Sequence, residues 1–166
     1  MAMASLWLAT ACALAPLDPR GAPTHRIDVT PKIQLTYRAP EDDAIFEHTM
    51  AAAHAEALAA PERYDEIMEA HCTSQGQAYW AQLWPSSLAL SRWLLAEPSI
   101  VAGKSVLELG CGLGLGSVCA ARAGARRVHA TDREAPALDF ALANAAANGV
   151  AGVVEASALD WAEAAA

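Results

Sequence analysis

The stretch Ser105-Val106-Leu107-Glu108-Leu109-Gly110-Cys111-Gly112-Leu113-Gly114-Leu115-Gly116-Ser117 decides how the rest of this 166-residue chain is read. Its first five residues form a short apolar run of the kind a buried parallel strand shows. The run breaks into a glycine-rich turn. A helical pattern follows, with Leu115, Val118, Cys119 and Arg122 at i, i+3, i+4 and i+7 and Gly124 as the residue that closes it. Strand, glycine loop and helix N-terminus make a place where backbone N–H groups meet an anionic or polar ligand group. Glycines there let ligand and backbone approach with no Cβ between them.

Working outward, Arg127-Val128-His129-Ala130-Thr131 predicts a second short strand ending in Asp132. In βαβ nucleotide sites an acid at that point accepts hydrogen bonds from ribose hydroxyls. The other reading of Asp132 is a helix N-cap, because Arg133-Glu134-Ala135-Pro136 opens the next helix, and both roles can coexist. That helix carries Leu138, Ala141, Leu142 and Ala145 on one predicted face and stops at Asn148-Gly149. Val153 to Ala156 predicts a third strand, followed by Ser157-Ala158-Leu159-Asp160-Trp161. The dinucleotide fingerprint G-x-G-x-x-G fails here: counted from Gly110 its third glycine falls on Leu115, and counted from Gly112 it falls on Ser117.

The observed spacing, Glu108-x-Gly110-x-Gly112-x-Gly114, resembles the first motif of class I S-adenosylmethionine (SAM) methyltransferases. Further residues carry the likeness: Tyr79-Trp80-Ala81-Gln82-Leu83-Trp84-Pro85, Leu88-Ala89-Leu90-Ser91-Arg92-Trp93-Leu94, Thr131-Asp132, Asn144 and Leu159-Asp160-Trp161. Together they resemble the seven-strand lysine methyltransferase-like family, and within it the branch that acts on the electron-transfer-flavoprotein β-subunit. Thr30-Pro31-Lys32-Ile33-Gln34-Leu35 is a weaker echo of the segment preceding the domain in that branch. The resemblance implies an α/β, Rossmann-like class I sheet, here its N-terminal half: about three parallel strands with flanking helices, preceded by a helical extension. It implies SAM as cofactor, with Glu108, Gly110, Gly112 and Gly114 along its methionine end and Asp132 on its ribose. Asp160 would accept from the adenine amino group, with Trp161 beside the ring. Trp84 would lie over the cofactor or the substrate channel. Trp80 and Trp84 read equally as core aromatics, and Asp160 as a solvated loop acid. Cys111 is counted with the cofactor-binding residues of the loop, as a small filler rather than a nucleophile.

Composition sets outer limits. The length suits about one domain. A net charge of −8 argues against a nucleic-acid footprint, and suits a basic peptide or a small molecule without choosing between them. The four cysteines, Cys12, Cys72, Cys111 and Cys119, show no C-x-x-C pairing, so neither zinc nor a disulfide framework is implied. His48, His54 and His71 lack metal-ligand spacing, and no metal site is expected. A reducing compartment follows, cytoplasmic in the first reading. Met1 to Ala15 is apolar, alanine-rich and uncharged, too short to span a bilayer and without the basic start of a secretory signal. With Arg20 and Arg26 after it, it is weakly like a transit peptide, which makes a mitochondrial or other organellar address the alternative.

Three regions are expected: a flexible start at 1–26, a mostly helical extension at 27–78, and the partial SAM-binding domain at 79–166. Within the extension, Arg26 to Tyr37 predicts a strand or hairpin around Pro31. Glu41 to Ala60 predicts a helix with Phe46, Met50, Ala53 and Ala57 on one face, and Pro61 opens another on which Tyr64, Ile67, Met68 and His71 align. Pro85 to about Glu97 predicts a helix with a Leu90, Trp93 and Leu94 stripe, packed on the sheet. The sequence ends before a partner strand for the other side of Ser105–Leu109. The expectation is therefore a fragment, poorly stable alone, whose catalytic residues lie elsewhere and whose complete form is a monomer. Three functions remain open at this point: methylation of protein lysine, methylation of a small molecule, and SAM binding without turnover.

Overall fold

The computed structural model describes residues 17–72 and 78–161. In chain order these form β1 (Thr24–Thr30), β2 (Ile33–Arg38), α1 (Asp42–Ala59), α2 (Tyr64–Cys72), α3 (Pro85–Ala96), β3 (Ser105–Leu109), α4 (Leu115–Arg122), β4 (Arg127–Asp132), α5 (Ala135–Ala147) and β5 (Val154–Ala158). Short 3-10 turns lie at Pro61–Arg63, Tyr79–Ala81 and Pro98–Ile100. The apolar stretch Met1–Ala15 falls outside the described residues, as do residues 73–77 and 162–166. No helix among the described residues is long and apolar enough to cross a membrane.

The described residues divide into two compact units. One contains α1 and α2. Asp42 and Asp43 occupy the first turn of α1, where acids suit the helix dipole. Ala53, Ala57 and Ile67 are its buried residues, so the expected face is right at its two alanines and wrong at Phe46, which is 65% exposed. Alanine offers several faces of near-equal apolarity, and packing chose the one that lets the helices approach.

The second unit contains everything else. In its three-stranded sheet β4 lies between β3 and β5, all parallel, with Val106, Val128 and Val154 in register across the strands. The two βα crossovers place α4 and α5 against one face, where Val128, Ala130 and Val154 are buried. Among the described residues β3 has a partner on one side only. Its other-face residues Leu107 and Leu109 are 59% and 48% exposed.

Helix α4 is buried from Leu115 through Ala121, and most of those side chains are small. That lets α3 and α5 both pack against it closely. Gly124, at φ +94°, closes the helix: its N–H donates to Ala121 O and the Ala125 N–H reaches Ala120 O. Gly149, at φ +74°, does the same for α5, as expected.

Three expectations need correction. The third strand runs Val154–Ala158 rather than Val153–Ala156. On α3, Leu90 and Trp93 are 41% and 52% exposed while Ser91 and Leu94 are buried, and the helix packs chiefly on α4 and also meets β1. The small Ser91 lets α3 close on α4, which a Trp on that face would prevent. On α5, Leu142 turns outward and Phe140, the largest fully buried side chain, turns in beside the Trp80 ring, 5.6 Å between centroids.

The second unit takes in Asp18–Glu41 as well as the residues from Ala78 on. The hairpin β1–β2 forms as expected around Pro31, but it belongs with the sheet and not with the helical extension. Val29 and Leu35, both fully buried, join the main core. Arg92 of α3 donates through Nε to Val29 O at 2.8 Å, and α5 holds the other strand through two asparagines.

Candidate cofactor site

The loop after β3 is built by continuing the sheet and then turning sharply off it. The Cys111 N–H donates to Thr131 O at 2.9 Å, extending the β3–β4 ladder past the strand end. Thr131 Oγ1 donates to Glu108 O at 2.7 Å. The Gly112 N–H then donates to Asp132 Oδ2 at 2.9 Å, and the Gly114 N–H closes the turn on Cys111 O at 2.8 Å. Gly110, Gly112 and Gly114 all have positive φ, at +68°, +50° and +76°, a region costly for any residue with a Cβ.

Space separates the three glycines. A Cβ on Gly112 would stand 2.8 Å from Trp80 O, and one on Gly114 2.7 Å from the Ala141 Cβ. Those two positions are filled by protein: the turn Tyr79–Ala81 lies over one and α5 over the other. There the close approach is chain to chain. On Gly110 a Cβ would meet only the Trp161 ring, at an ordinary 3.7 Å. Gly110 is where the loop presents bare backbone to an aromatic wall.

Glu108 points under the loop. Its carboxylate accepts from both the Ser117 hydroxyl and the Ser117 N–H, in the first turn of α4. Burial pushes its pKa up and the Asp132 charge adds to that, while the bonds from Ser117 act the other way. The helix N-terminus that the sequence offered to a ligand is thus met by this chain's own carboxylate. Gly116 has no special backbone conformation, yet a Cβ on it would collide with Glu108 Oε1. Gly116 and Ser117 were missed in the sequence. The available signal was a fourth glycine after the turn was already complete.

Asp132 is 8% exposed at the C-terminal end of β4. Besides the Gly112 N–H it takes the Glu134 N–H on Oδ1, at 3.1 Å. The α5 N-cap position is Glu134, so Asp132 braces the turn before the helix and does not cap it. A carboxylate offers about four acceptor sites, and two are used by these bonds. The Leu159 N–H donates to Asp132 O at 3.0 Å, so β5 is led on past its end. Asp160 and Trp161 follow at the same end of the sheet, Asp160 partly exposed and Trp161 62% exposed.

Trp84 stands one step away. Its Nε1–H donates to Tyr79 O at 2.9 Å and its ring lies 5.8 Å from the Tyr79 ring, which ties it to the turn over Gly112. It is 43% exposed. Cys111 is buried, and its thiol is pushed up to about 12 by burial, with the Glu108 and Asp132 charges adding to it. It carries no thiolate at neutral pH.

A parallel βαβαβ unit with an acid-led run of alternate glycines at the carboxyl end of its first strand defines a nucleotide-binding half-sheet of the methyltransferase kind. A family model described as "Lysine methyltransferase" matches residues 63–166, and the chain belongs to that family. It is 52% identical over 54 residues to the human electron transfer flavoprotein beta subunit lysine methyltransferase, covering 32% of this chain and 21% of that protein. The Xenopus laevis protein of the same name is 51% identical over 57 residues, covering 34% and 23%. Protein N-terminal and lysine N-methyltransferase efm7 of Schizosaccharomyces pombe is 45% identical over 60 residues, covering 36% and 24%. The matched stretch thus spans about a quarter or less of these relatives' length. Among solved structures, the Trypanosoma brucei PRMT1 enzyme-prozyme complex with AdoHcy is 28% identical over 42% of this chain and 22% of that one, with a TM-score of 0.40.

Family membership makes SAM the cofactor. The residues present fit it on two observations: an open Cβ-free surface at Gly110 facing an indole, and a nearly buried carboxylate with acceptor sites beyond its backbone bonds.

Proposed function

We propose that this chain carries the cofactor-binding part of a SAM-dependent methyltransferase acting on protein lysine. The observation that supports it most is Asp132: one carboxylate shapes the glycine loop through Gly112 and ends β4, the position from which an acid meets the ribose in βαβ nucleotide sites. When bound, SAM supplies a sulfonium-activated methyl group. The chain's own work is to bind, orient and exclude water. Asp132 accepts from the sugar hydroxyls. Gly110 leaves the methionine end unobstructed, while Gly112, Gly114 and Glu108 act by fixing the loop's shape. Asp160 takes the base amino group, with Trp161 against the ring. An amine acceptor must first lose a proton, and a dry aromatic wall promotes that by lowering its pKa. Trp84 is the residue proposed for that wall.

A second reading is SAM binding without turnover by these 166 residues. It is favoured by the exposure of Leu107 and Leu109 on a strand paired on one side. Two measurements decide. Titration calorimetry with S-adenosylhomocysteine should show binding by the chain and about a tenfold or larger loss in Asp132→Asn. No binding by the unaltered chain overturns both readings. Incubation with methyl-labelled SAM and candidate proteins should then place label in a protein fraction. Label in small molecules would move the substrate class, and binding without label supports the second reading.

A further inference from the structure

Asn144, on the buried face of α5, is not used by any step above. It is 1% exposed, and three hydrogen bonds hold its carboxamide. The Arg38 N–H donates to Oδ1 at 2.6 Å, while Nδ2 donates to Arg38 O at 3.1 Å and to Leu113 O at 2.9 Å. Leu113 lies inside the glycine loop, and Arg38 ends β2. One turn on, Asn148 treats Thr36 in the same way: Oδ1 accepts the Thr36 N–H at 3.1 Å and Nδ2 donates to Thr36 O at 2.6 Å. The spacing explains the match. Four residues of helix rise about 6 Å and two residues of strand about 6.7 Å, so amides at i and i+4 meet alternate residues of a strand edge. The two side chains serve β2 as a third strand would. Asn148 has no bond to the loop; its remaining partner is Asn144 O, at 2.8 Å.

The amide orientation follows from these partners. Because Arg38 N–H must meet an oxygen, the nitrogen end of Asn144 is turned toward the Leu113 carbonyl. We propose that Asn144 is a positioning residue of the cofactor loop, and that the N-terminal hairpin, by orienting its carboxamide, is a working part of the cofactor site. The proposal rests on the SAM-binding reading for its ligand, but its bond network is testable without one.

The test uses the full chain, Asn144→Asp and Asn148→Ala. Asn144→Asp keeps the acceptor for the Arg38 N–H and loses the donors to Arg38 O and Leu113 O. It should weaken S-adenosylhomocysteine binding about tenfold or more, while Asn148→Ala, which loosens only the strand edge, should stay within about twofold. Both should lower the melting temperature, so a purely structural role predicts parallel losses of affinity, and parallel losses would overturn the proposal. Amide hydrogen exchange without ligand supplies the independent readout. In Asn144→Asp, exchange should quicken at residues 111–114 while Arg38, whose acceptor is kept, changes less; unchanged exchange in the loop overturns the proposal. If Asn144→Asp does not fold, the unaltered chain decides: S-adenosylhomocysteine should slow exchange at Arg38 as well as in the loop, and slowing confined to the loop is the contrary result. Should the unaltered chain bind no S-adenosylhomocysteine, the SAM reading fails, while the ligand-free exchange still judges Asn144.

Discussion

The two sides of the glycine loop differ in what presses on them. Gly112 and Gly114 face protein so close that a single added carbon would overlap Trp80 O or the Ala141 Cβ. Gly110 has the same left-handed backbone and faces only the outer atoms of an exposed indole. One residue type therefore sits in two settings within five positions: pressed against the core at Gly112 and Gly114, and open, in the proposed site toward the ligand, at Gly110. A motif match cannot separate them, but substitutions can.

The largest effect should come from Gly114→Ala, which combines overlap with a helix backbone and left-handed strain. Each contributes about 1–3 kcal/mol, so a loss of about 3 kcal/mol or more is expected in denaturant unfolding. A change below about 1 kcal/mol would mean that α5 yields, and the contrast between the two sides would fail. Next comes Gly110→Ala. Strain alone should cost about 1 kcal/mol of stability, while binding of S-adenosylhomocysteine should fall disproportionately. Equal affinity in a folded Gly110→Ala chain would show that its open side is not a ligand surface.

The smallest effect is expected at Glu108, on the core side, and it is read in pH dependence. Its pKa is raised in the folded chain above the ordinary value of 4.5. The folded state therefore holds the proton more tightly, and Glu108's contribution is lost as pH rises from about 4.5 through the raised value. Glu108→Gln keeps an acceptor for Ser117 and removes the charge. Its stability should fall less steeply than that of the unaltered chain between mildly acidic and neutral pH, and identical slopes would put the burial of this carboxylate in doubt.

Much of the fold was readable because it is locally encoded. A short apolar run between Gly103 and Gly110 gave β3, and the short run ending in Asp132 gave β4, at their observed limits, while Gly124 and Gly149 marked two helix ends through backbone conformations that other residues avoid. Helix faces were less readable. On α3 hydrophobicity favoured Trp93, but close packing on α4 put the small Ser91 inside; on α5 Ala141 and Ala145 keep the expected face, while Ala137 and Phe140 turn in and Leu142 turns out. A pattern of apolar letters does not register which side chain fits a close helix contact. The hairpin's place was unreadable for another reason: its bonds to Asn144 and Asn148 cross 106 and 112 residues and leave no local trace at either end. At the site, the βαβ pattern is enough to bring Asp132 and residues 159–161 to one end of the sheet. It is not enough to show that Asp132 is already engaged by Gly112 and Glu134, or that Glu108 is turned toward Ser117.

The bond from Gly112 to Asp132 narrows the routes by which this scaffold can be altered. In folds of this kind, exchanging the acid after the second strand is the direct way to accept a different sugar. Here the same side chain anchors the Gly112 amide, so any replacement chosen for a new nucleotide also releases the turn that would have to hold it. Redesign of this protein's nucleotide preference would have to begin by giving that amide another acceptor.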